Sequence, residues 1–151
     1  MHYNVAPMRH SSIWLYAHVI FSTKNRRPLI NNKIQDNLWA YMGGIARKNG
    51  VRALKVGGMA DHAHMLLRLP SMVPIGEAVR EIKAGSSLWF REQHDRLFSW
   101  QEGFGGFSVS ASHVPQVTRY IENQEPHHRK ISFADEWRLF VEKYSMAIGD
   151  D

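Results

Sequence analysis

Two short motifs of this sequence hold side chains that could bind a metal ion beside a nucleophile. The first is Asp61-His62-Ala63-His64. In a β-strand, His62 and His64 would project from one face, about 6–7 Å apart along the chain, while the other two residues face away. Two imidazoles at that separation can hold one cation. The pair is a weak signal by itself, because the chain has nine histidines and a His-x-His strand is more often surface or core packing.

The second motif, residues 119–124, has the sequence RYIENQ and is predicted to be helical. Tyr120 and Gln124 are four residues apart, so their Cβ atoms would lie about 5–6 Å apart on neighbouring turns. If Val117 and Ile121 pack on a sheet, Tyr120 and Gln124 lie at the rim of that face and can point toward the histidines. Without the histidine pair, the simpler interpretation is a boundary aromatic and a solvated amide.

Together the motifs predict metal-assisted phosphoryl chemistry. Two neutral imidazoles and one amide oxygen leave the charge of a divalent cation uncompensated, so the ion could polarise a phosphodiester as a Lewis acid. A nearby phenol could attack phosphorus and form a phosphotyrosine, which stores the bond energy for rejoining a strand. Ionising a phenol at neutral pH costs roughly 4 kcal/mol, so a base is needed. A metal-bound water is one candidate; His127 and His128 follow the helix, but a surface pair is the favoured interpretation of them.

The composition indicates a globular protein with its own core. Residues 1–151 are interpreted as one domain, since 44% of them are hydrophobic. The absence of cysteine excludes disulfides, thiolate zinc sites and cysteine nucleophiles. The sequence contains no recognisable secretory signal and no apolar run long enough to span a bilayer, so a soluble, cytoplasmic protein is expected.

The net charge of +5 favours an anionic partner such as nucleic acid. Basic residues cluster after the first apolar run and again in the middle of the chain. Such clusters can contact a phosphate backbone, although roughly half of these basic residues are interpreted as ordinary solvated surface charge. The candidate DNA-binding residues are Lys24, Arg26, Arg27, Lys83 and Arg91.

The pattern of apolar residues predicts the elements that must position these side chains. Strands are expected over residues 13–21, 51–56, 62–69 and 107–110, and helices over about 31–49, 75–94, 112–125 and 133–146. Gly57-Gly58 is interpreted as the turn between the second and third strands, and Pro126 as the end of the third helix. The order β-α-β-β-α-β followed by two helices predicts an α+β, ferredoxin-like fold, with an antiparallel sheet and the helices on one face.

Four segments resemble a known family of enzymes. They are the Asp-His-x-His strand with residues 65–67 (MLL) after it, and the runs 83–87 (KAGSS), 105–110 (GGFSVS) and 119–128 (RYIENQEPHH). From about residue 13 to residue 144 the chain is similar to the single-tyrosine HUH transposases of the bacterial insertion-sequence 200/605 type. Ala63 stands where that family usually has a bulky hydrophobic residue, and residues 110–112 (SAS), just before the tyrosine helix, include no glycine.

The resemblance implies a Mg²⁺ or Mn²⁺ ion held by His62, His64 and Gln124, with Tyr120 as the nucleophile. The implied substrate is single-stranded DNA carrying hairpins, which is cut to a 5′-phosphotyrosine and a free 3′-OH and rejoined elsewhere without a nucleotide cofactor. Similar proteins act as homodimers in which the tyrosine helix of one subunit can complete the site of the other. The sequence leaves open whether Tyr120 acts in its own chain or in its partner.

Three other interpretations of the same residues stay open. A domesticated relative that nicks palindromes for its host would share every one of these residues. A non-catalytic DNA-binding module would keep the histidines for structural reasons. A nucleotide hydrolase of the histidine-triad type needs a third alternate histidine, and leucine at position 66 counts against it.

Overall fold

The computed structural model describes residues 11–148, which form a four-stranded sheet and five α-helices. The elements are β1 (Leu15–Ser22), α1 (Gln35–Lys48), β2 (Arg52–Met59), β3 (His62–Leu69), α2 (Ile75–Gln93), β4 (Gly105–Val109), α3 (Val114–Glu122), α4 (Gln124–His128) and α5 (Phe133–Ile148). The strand order is β2-β3-β1-β4, and all three pairings are antiparallel. This arrangement confirms the predicted α+β, ferredoxin-like fold. Within the described part of the chain, none of the helices combines the length and the apolar composition that a membrane span requires.

Helices cover both faces of the sheet. On one face, α1 and α2 bring Leu38 and Ile82 against Phe21, Met65 and Leu67 in the larger apolar core. On the other face lie α3, α4 and α5. The prediction that the helices share one face is therefore wrong. The reason is that β3 is buried along most of its length rather than at alternate residues, so each of its faces needs a cover.

The second face combines a small apolar core with polar residues. Leu66, Val109 and Ile121 form that core. The ring of Phe140 on α5 packs 5.1 Å from that of Phe107 on β4, measured between centroids. These contacts place α3 and α5 directly above the side of β3 that carries its histidines.

Gly57 lets α3 approach the sheet closely. A Cβ atom at this position would come within 2.9 Å of Cγ2 of Ile121. Gly57 and Gly58 both belong to β2, which continues to Met59, and the chain turns at residues 60–61. The predicted turn at Gly57-Gly58 is therefore wrong, because Gly57 serves the close contact with α3, and a Cβ at Gly58 would meet the backbone of β3 at His62.

The predicted third helix is divided in two. α3 ends at Glu122, and α4 begins at Gln124 after a break at Asn123. Pro126 lies within the first turn of α4, where its missing N–H removes no helical hydrogen bond, so it does not end a helix as predicted. Tyr120 and Gln124 consequently lie on consecutive helices rather than on one.

Candidate active site

The two histidines of β3 lie side by side beneath α3, α4 and α5. His62 and His64 are both 0% exposed, and their ring centroids are 5.0 Å apart. Ala63 faces the opposite side and is buried in the larger core. Asp61 was expected to face away, but it precedes the strand in a turn, and its Oδ1 lies 2.8 Å from Nδ1 of His62. The strand thus presents two Nε2 atoms to the same space.

Each imidazole of the cluster is oriented through its Nδ1 atom. For His62 the partner is the acid that precedes it. Nδ1 of His64 lies 2.8 Å from Nε2 of His18 on β1. Nδ1 of His128, on α4, donates to the carbonyl oxygen of Ile131 at 2.9 Å. All three Nε2 atoms are therefore turned inward, an arrangement that metal-ligating histidines commonly show.

A carboxylate from α5 closes the cluster. Glu136 is 1% exposed, and its Oε1 lies 3.0 Å from Nε2 of His64, 3.5 Å from Nε2 of His62 and 3.3 Å from Nε2 of His128. Glu136 was not among the predicted ligands. One signal was available, since position 136 falls on the apolar stripe of its predicted helix, where a charged residue is out of place.

Gln124 belongs to the centre of the cluster. It is 2% exposed, not at the rim of the sheet as predicted. Its Oε1 lies 3.0 Å from Nε2 of both His62 and His128. Its Nε2 donates to the carbonyl oxygen of Tyr120 at 3.3 Å. The predicted metal ligands therefore do meet, although the oxygen nearest to Nε2 of His64 comes from Glu136.

Tyr120 points into the same cluster from α3. Its hydroxyl donates to Oε2 of Glu136 and lies 3.1 Å from Nε2 of His127. Its ring centroid is 5.8 Å from that of His64 in the same chain. The interpretation of His127 and His128 as a surface pair is wrong. Their side chains are 30% and 8% exposed and both contact Glu136, because α4 lies back over the sheet.

Burial and the charge of Glu136 set the protonation states of the cluster. Burial lowers the pKa of His64 to about 4 and that of His18 to about 3, so both rings are neutral at neutral pH, the form that binds a metal. Burial raises the pKa of Tyr120, and the adjacent carboxylate raises it further. Burial also favours a higher pKa for Glu136, but the hydrogen bonds from His64 and Tyr120, and the positive charge that the imidazoles carry once protonated at low pH, bring it below its usual value.

The donor set fits a divalent cation. One ligand atom from each of His62, His64, His128 and Glu136 lies within 4.8 Å of the others. The amide oxygen of Gln124 adjoins two of them. Imidazole nitrogens together with a carboxylate are ligands that Zn²⁺ and Mn²⁺ accept in proteins. The geometry thus adds two potential ligands to the three that were predicted.

The candidate DNA-binding residues divide into two groups. Lys24, Arg26 and Arg27 are exposed in the turn after β1, and β1 ends opposite the first residue of β3, so this turn borders the histidine cluster. Lys83 and Arg91 lie on α2, on the other face of the sheet. They donate to backbone carbonyls of the segment before β4, at 2.6 and 2.7 Å for Lys83 and 3.1 Å for Arg91. Contact of either group with DNA stays a prediction.

A cavity of about 600 Å³ opens beside Tyr120, between α3 and α5. Lys143 and Tyr144 of α5 are among its lining residues, and Nζ of Lys143 lies 5.9 Å from the centroid of the Tyr144 ring. An aromatic face with a cation beside it is a combination that single-stranded nucleic acid commonly contacts. The cavity therefore offers space for a nucleotide next to the phenol.

Comparison with protein families identifies relatives for most of this chain. The family model described as "Transposase IS200 like" matches residues 11–124. The ISDra2 transposase TnpA of Deinococcus radiodurans is 25% identical over 114 residues, which cover 71% of this chain and 81% of that protein. The transposase for insertion sequence element IS200 of Salmonella typhimurium is 29% identical over 115 residues, covering 71% of this chain and 74% of the relative.

Two solved structures share the fold. A crystal structure of a transposase from Deinococcus radiodurans R1 matches with a TM-score of 0.64 and 25% identity, over 80% of this chain and 98% of the other. A REP-associated tyrosine transposase bound to a REP hairpin matches with a TM-score of 0.60 over 82% of this chain and 74% of the other. At 16% identity, the second match shows the fold alone.

Proposed function

Because this chain belongs to the IS200-like transposase family, we propose that it cuts and rejoins single-stranded DNA at the hairpin-bearing ends of a mobile element. Tyr120 is the nucleophile, and the intermediate is a 5′-phosphotyrosine. One observation carries this proposal: the hydroxyl of Tyr120 lies against a buried cluster of histidines and a carboxylate that fits a divalent cation. A phenol in such surroundings is suited to phosphoryl transfer.

The reaction conserves the energy of the phosphodiester bond. In the cleavage step, the phenol oxygen of Tyr120 forms a bond to phosphorus while the bond from phosphorus to the 3′ oxygen breaks. That 3′ oxygen takes up a proton and leaves as a 3′-OH. In the joining step, a 3′-OH attacks the phosphotyrosine, and the phenol oxygen leaves and regains its proton. Each step exchanges one phosphoester for another, so no nucleotide cofactor is consumed.

Two groups are positioned to receive the proton of the nucleophile. The hydroxyl of Tyr120 donates to Oε2 of Glu136, and Nε2 of His127 lies 3.1 Å from it. Burial and the charge of Glu136 raise the pKa of Tyr120 in this arrangement, so the phenol is protonated before the reaction. Transfer of that proton to Glu136 or His127 is the activation that the nucleophile requires.

A divalent metal, Mg²⁺ or Mn²⁺, completes the proposed site, with His62, His64 and Gln124 as ligands. When bound, the metal polarises the phosphodiester and offsets the negative charge that develops on it. The neutral state of His64 supports this role, because a protonated imidazole cannot bind a metal. Asp61 and His18 orient the two ligand rings from behind.

The DNA partner is proposed from charge and from the relatives. The exposed basic turn of Lys24, Arg26 and Arg27 borders the cluster, and a cation and an aromatic ring line the cavity beside Tyr120. A protein of the same fold is bound to a REP hairpin, and we propose hairpin-bearing single-stranded DNA as the partner of this chain as well. The homodimer that the resemblance implies is also a proposal. Within it, we propose that Tyr120 works with the histidines of its own chain, because its ring lies close to that of His64 in the same chain.

Trapping of a covalent adduct tests the proposed function. Hairpin-bearing single-stranded DNA is incubated with Mn²⁺ and the wild-type chain, and protein-bound DNA is separated under denaturing conditions. We expect an adduct with wild type and with Tyr41→Phe, whose ring stacks on Trp89 on the other face. We expect none with Tyr120→Phe. An adduct that persists in Tyr120→Phe would overturn the assignment of the nucleophile.

A domesticated endonuclease that nicks host palindromes is the second candidate, because the REP-associated protein shares the fold. It would form the same adduct, so the assay does not separate the two. Genomic sequence does: a mobile element has paired hairpins flanking the gene, whereas a host nuclease has its palindromes dispersed. A non-catalytic DNA-binding module would bind DNA equally with and without EDTA and would form no adduct.

A further inference from the structure

We propose that the DNA-free protein binds a divalent transition-metal ion, Zn²⁺ or Mn²⁺ in preference to Mg²⁺, through Nε2 of His62, His64 and His128 and a carboxylate oxygen of Glu136. This metal centre rests on the proposed function, because it includes the two histidines of β3 that the proposed function already assigns as metal ligands. Two of its four ligands, His128 and Glu136, are absent from the set that the family resemblance implies.

The buried cluster holds more hydrogen-bond acceptors than donors. Nδ1 of His128 must carry a proton, because its partner at 2.9 Å, the carbonyl oxygen of Ile131, can only accept. Nδ1 of His62 faces a carboxylate oxygen of Asp61 at 2.8 Å and carries a proton for the same reason. In the neutral form of each ring, Nε2 then has no proton and carries a lone pair. Both lone pairs point toward oxygen atoms.

Those oxygen atoms are acceptors as well. Oε1 of Gln124 lies 3.0 Å from Nε2 of both rings. Oε1 of Glu136 lies 3.5 and 3.3 Å from the same two nitrogens. Lone pairs brought this close repel each other in a buried site unless a positive charge compensates them. A divalent cation bound by these atoms supplies that charge.

The additional ligands come from a part of the chain outside the family match. The match ends at residue 124, whereas His128 lies on α4 and Glu136 on α5. α5 is packed against the cluster, since the ring of Phe133 stacks on that of His62 with centroids 4.4 Å apart. A carboxylate fixed in this way is a preorganised ligand, because the packing of its helix holds it in place.

The nature of the donors determines the choice of metal. Imidazole nitrogens suit transition metals, whereas Mg²⁺ prefers oxygen ligands and retains several waters. Glu136 uses its second oxygen to accept the hydrogen bond from the hydroxyl of Tyr120. A phosphodiester that binds the metal takes the coordination position that Oε1 of Glu136 holds without DNA. The four-ligand centre therefore describes the protein before DNA binds.

Isothermal titration calorimetry of the full chain without DNA tests this proposal. Wild type stripped with chelator is titrated with ZnCl₂, MnCl₂ or MgCl₂. We expect one Zn²⁺ or Mn²⁺ per chain, with Mg²⁺ bound more weakly. Glu136→Gln and His128→Ala should each weaken Zn²⁺ and Mn²⁺ binding by at least about 10-fold, the lower end of what even an outer-sphere partner contributes. Glu142→Gln, exposed on the same helix, and His94→Ala, exposed after α2, should bind like wild type.

Wild-type affinity in both Glu136→Gln and His128→Ala would overturn the proposal, as would the absence of metal binding by the DNA-free wild type. Circular dichroism in EDTA identifies a variant that fails to fold. If a variant does, X-ray absorption of wild type loaded with Zn²⁺ decides the question, since a shell with only two imidazole ligands contradicts a centre that includes His128. The adduct assay tests the proposed function separately. If the variants bind metal like wild type, the four-ligand centre is wrong, but an adduct that depends on Tyr120 still supports the proposed function.

Discussion

The two faces of β3 are equally buried and chemically opposite. Ala63, Met65 and Leu67 face α1 and α2 and are 0% exposed. His62 and His64 alternate with them, face α3, α4 and α5, and are also 0% exposed. The first face stabilises the fold by removing apolar surface from water, at about 25 cal/mol per Å². The second face removes polar rings from water, which costs free energy unless each ring finds a partner.

This difference shows how one strand supports both stability and chemistry. Within residues 11–148, every buried side-chain nitrogen or oxygen of the described residues has another polar atom within hydrogen-bonding distance. The polar atoms around the histidine face come from β1, α4 and α5, and the resulting cluster is the candidate active site. Substitutions on the two faces should therefore change different measurable quantities.

The largest effect is expected from His64→Ala, on the histidine face. Losing this ring removes a proposed metal ligand, so the rate of adduct formation should fall by about 10³-fold or more, as when one member of a catalytic group is removed. Initial rates with hairpin DNA and Mn²⁺ measure the change. The circular dichroism spectrum should remain that of a folded protein. A rate close to that of wild type would contradict the role of the histidine face.

Met65→Ala, on the apolar face, should act on stability instead. Removing this buried side chain should lower the free energy of unfolding by about 2–5 kcal/mol, from lost burial and the cavity left behind. Urea titration measures the change. The rate of adduct formation per folded molecule should stay near the wild-type rate. If the rate fell as far as in His64→Ala, the two faces could not be treated as separate.

A smaller effect on both quantities is expected from Gly57→Ala, where the histidine face meets α3. The added methyl would lie 2.9 Å from Cγ2 of Ile121, so α3 must shift and move Tyr120 with it. Overpacking of this kind costs about 1–3 kcal/mol, and the displaced nucleophile should react more slowly. Gly43→Ala is the control, because its Cβ would meet no atom within 4 Å. Equal stability and rate in both variants would contradict the close contact.

A further test, which changes no residue, is the dependence of stability on pH, measured in EDTA. The pKa of His64 is about 4 and that of His18 about 3 in the fold, against 6.5 in the unfolded chain. Between these values the unfolded chain binds more protons, so the free energy of unfolding should fall as the pH is lowered from 6.5 toward 4. Each ring contributes up to about 1.4 kcal/mol per pH unit, and the contribution is complete above its unfolded pKa.

Met65→Ala is the control for the dependence of stability on pH. Because the substitution leaves both histidines in place, it should lower the free energy of unfolding at every pH without changing the slope. Urea titrations at several pH values measure both curves. A wild-type profile that is flat between pH 6.5 and 4 would show that the rings are not buried in neutral form.

Local sequence patterns predicted the helices and strands, and they predicted part of the candidate active site. Strand alternation repeats every two residues, so His62 and His64 had to share a face once residues 62–69 formed a strand. Helical spacing placed Gln124 one turn from Tyr120, and this proximity survives the break between α3 and α4, since Nε2 of Gln124 donates to the carbonyl oxygen of Tyr120. The family match confirms the resemblance that brought the two motifs together.

Non-local packing accounts for the errors. Gly57 has the residue type of a turn, but the contact that requires a glycine is made by α3, far along the chain. His127 and His128 have the polarity of surface residues, and only the path of α4 buries them. Pro126 has the residue type of a helix end, yet it lies in the first turn of a new helix. In each case one residue type suits two environments, and local sequence cannot choose between them.

The sequence by itself determined that two imidazoles share one face of a strand and that a phenol and an amide lie one turn apart, because both follow from the periods of strand and helix. Only the tertiary structure decided which groups complete the site. His18 reaches His64 through the register of β1 on β3, and Glu136 lies 72 positions from His64 on a helix that returns over the sheet. Such contacts depend on how distant elements pack, which no local period encodes.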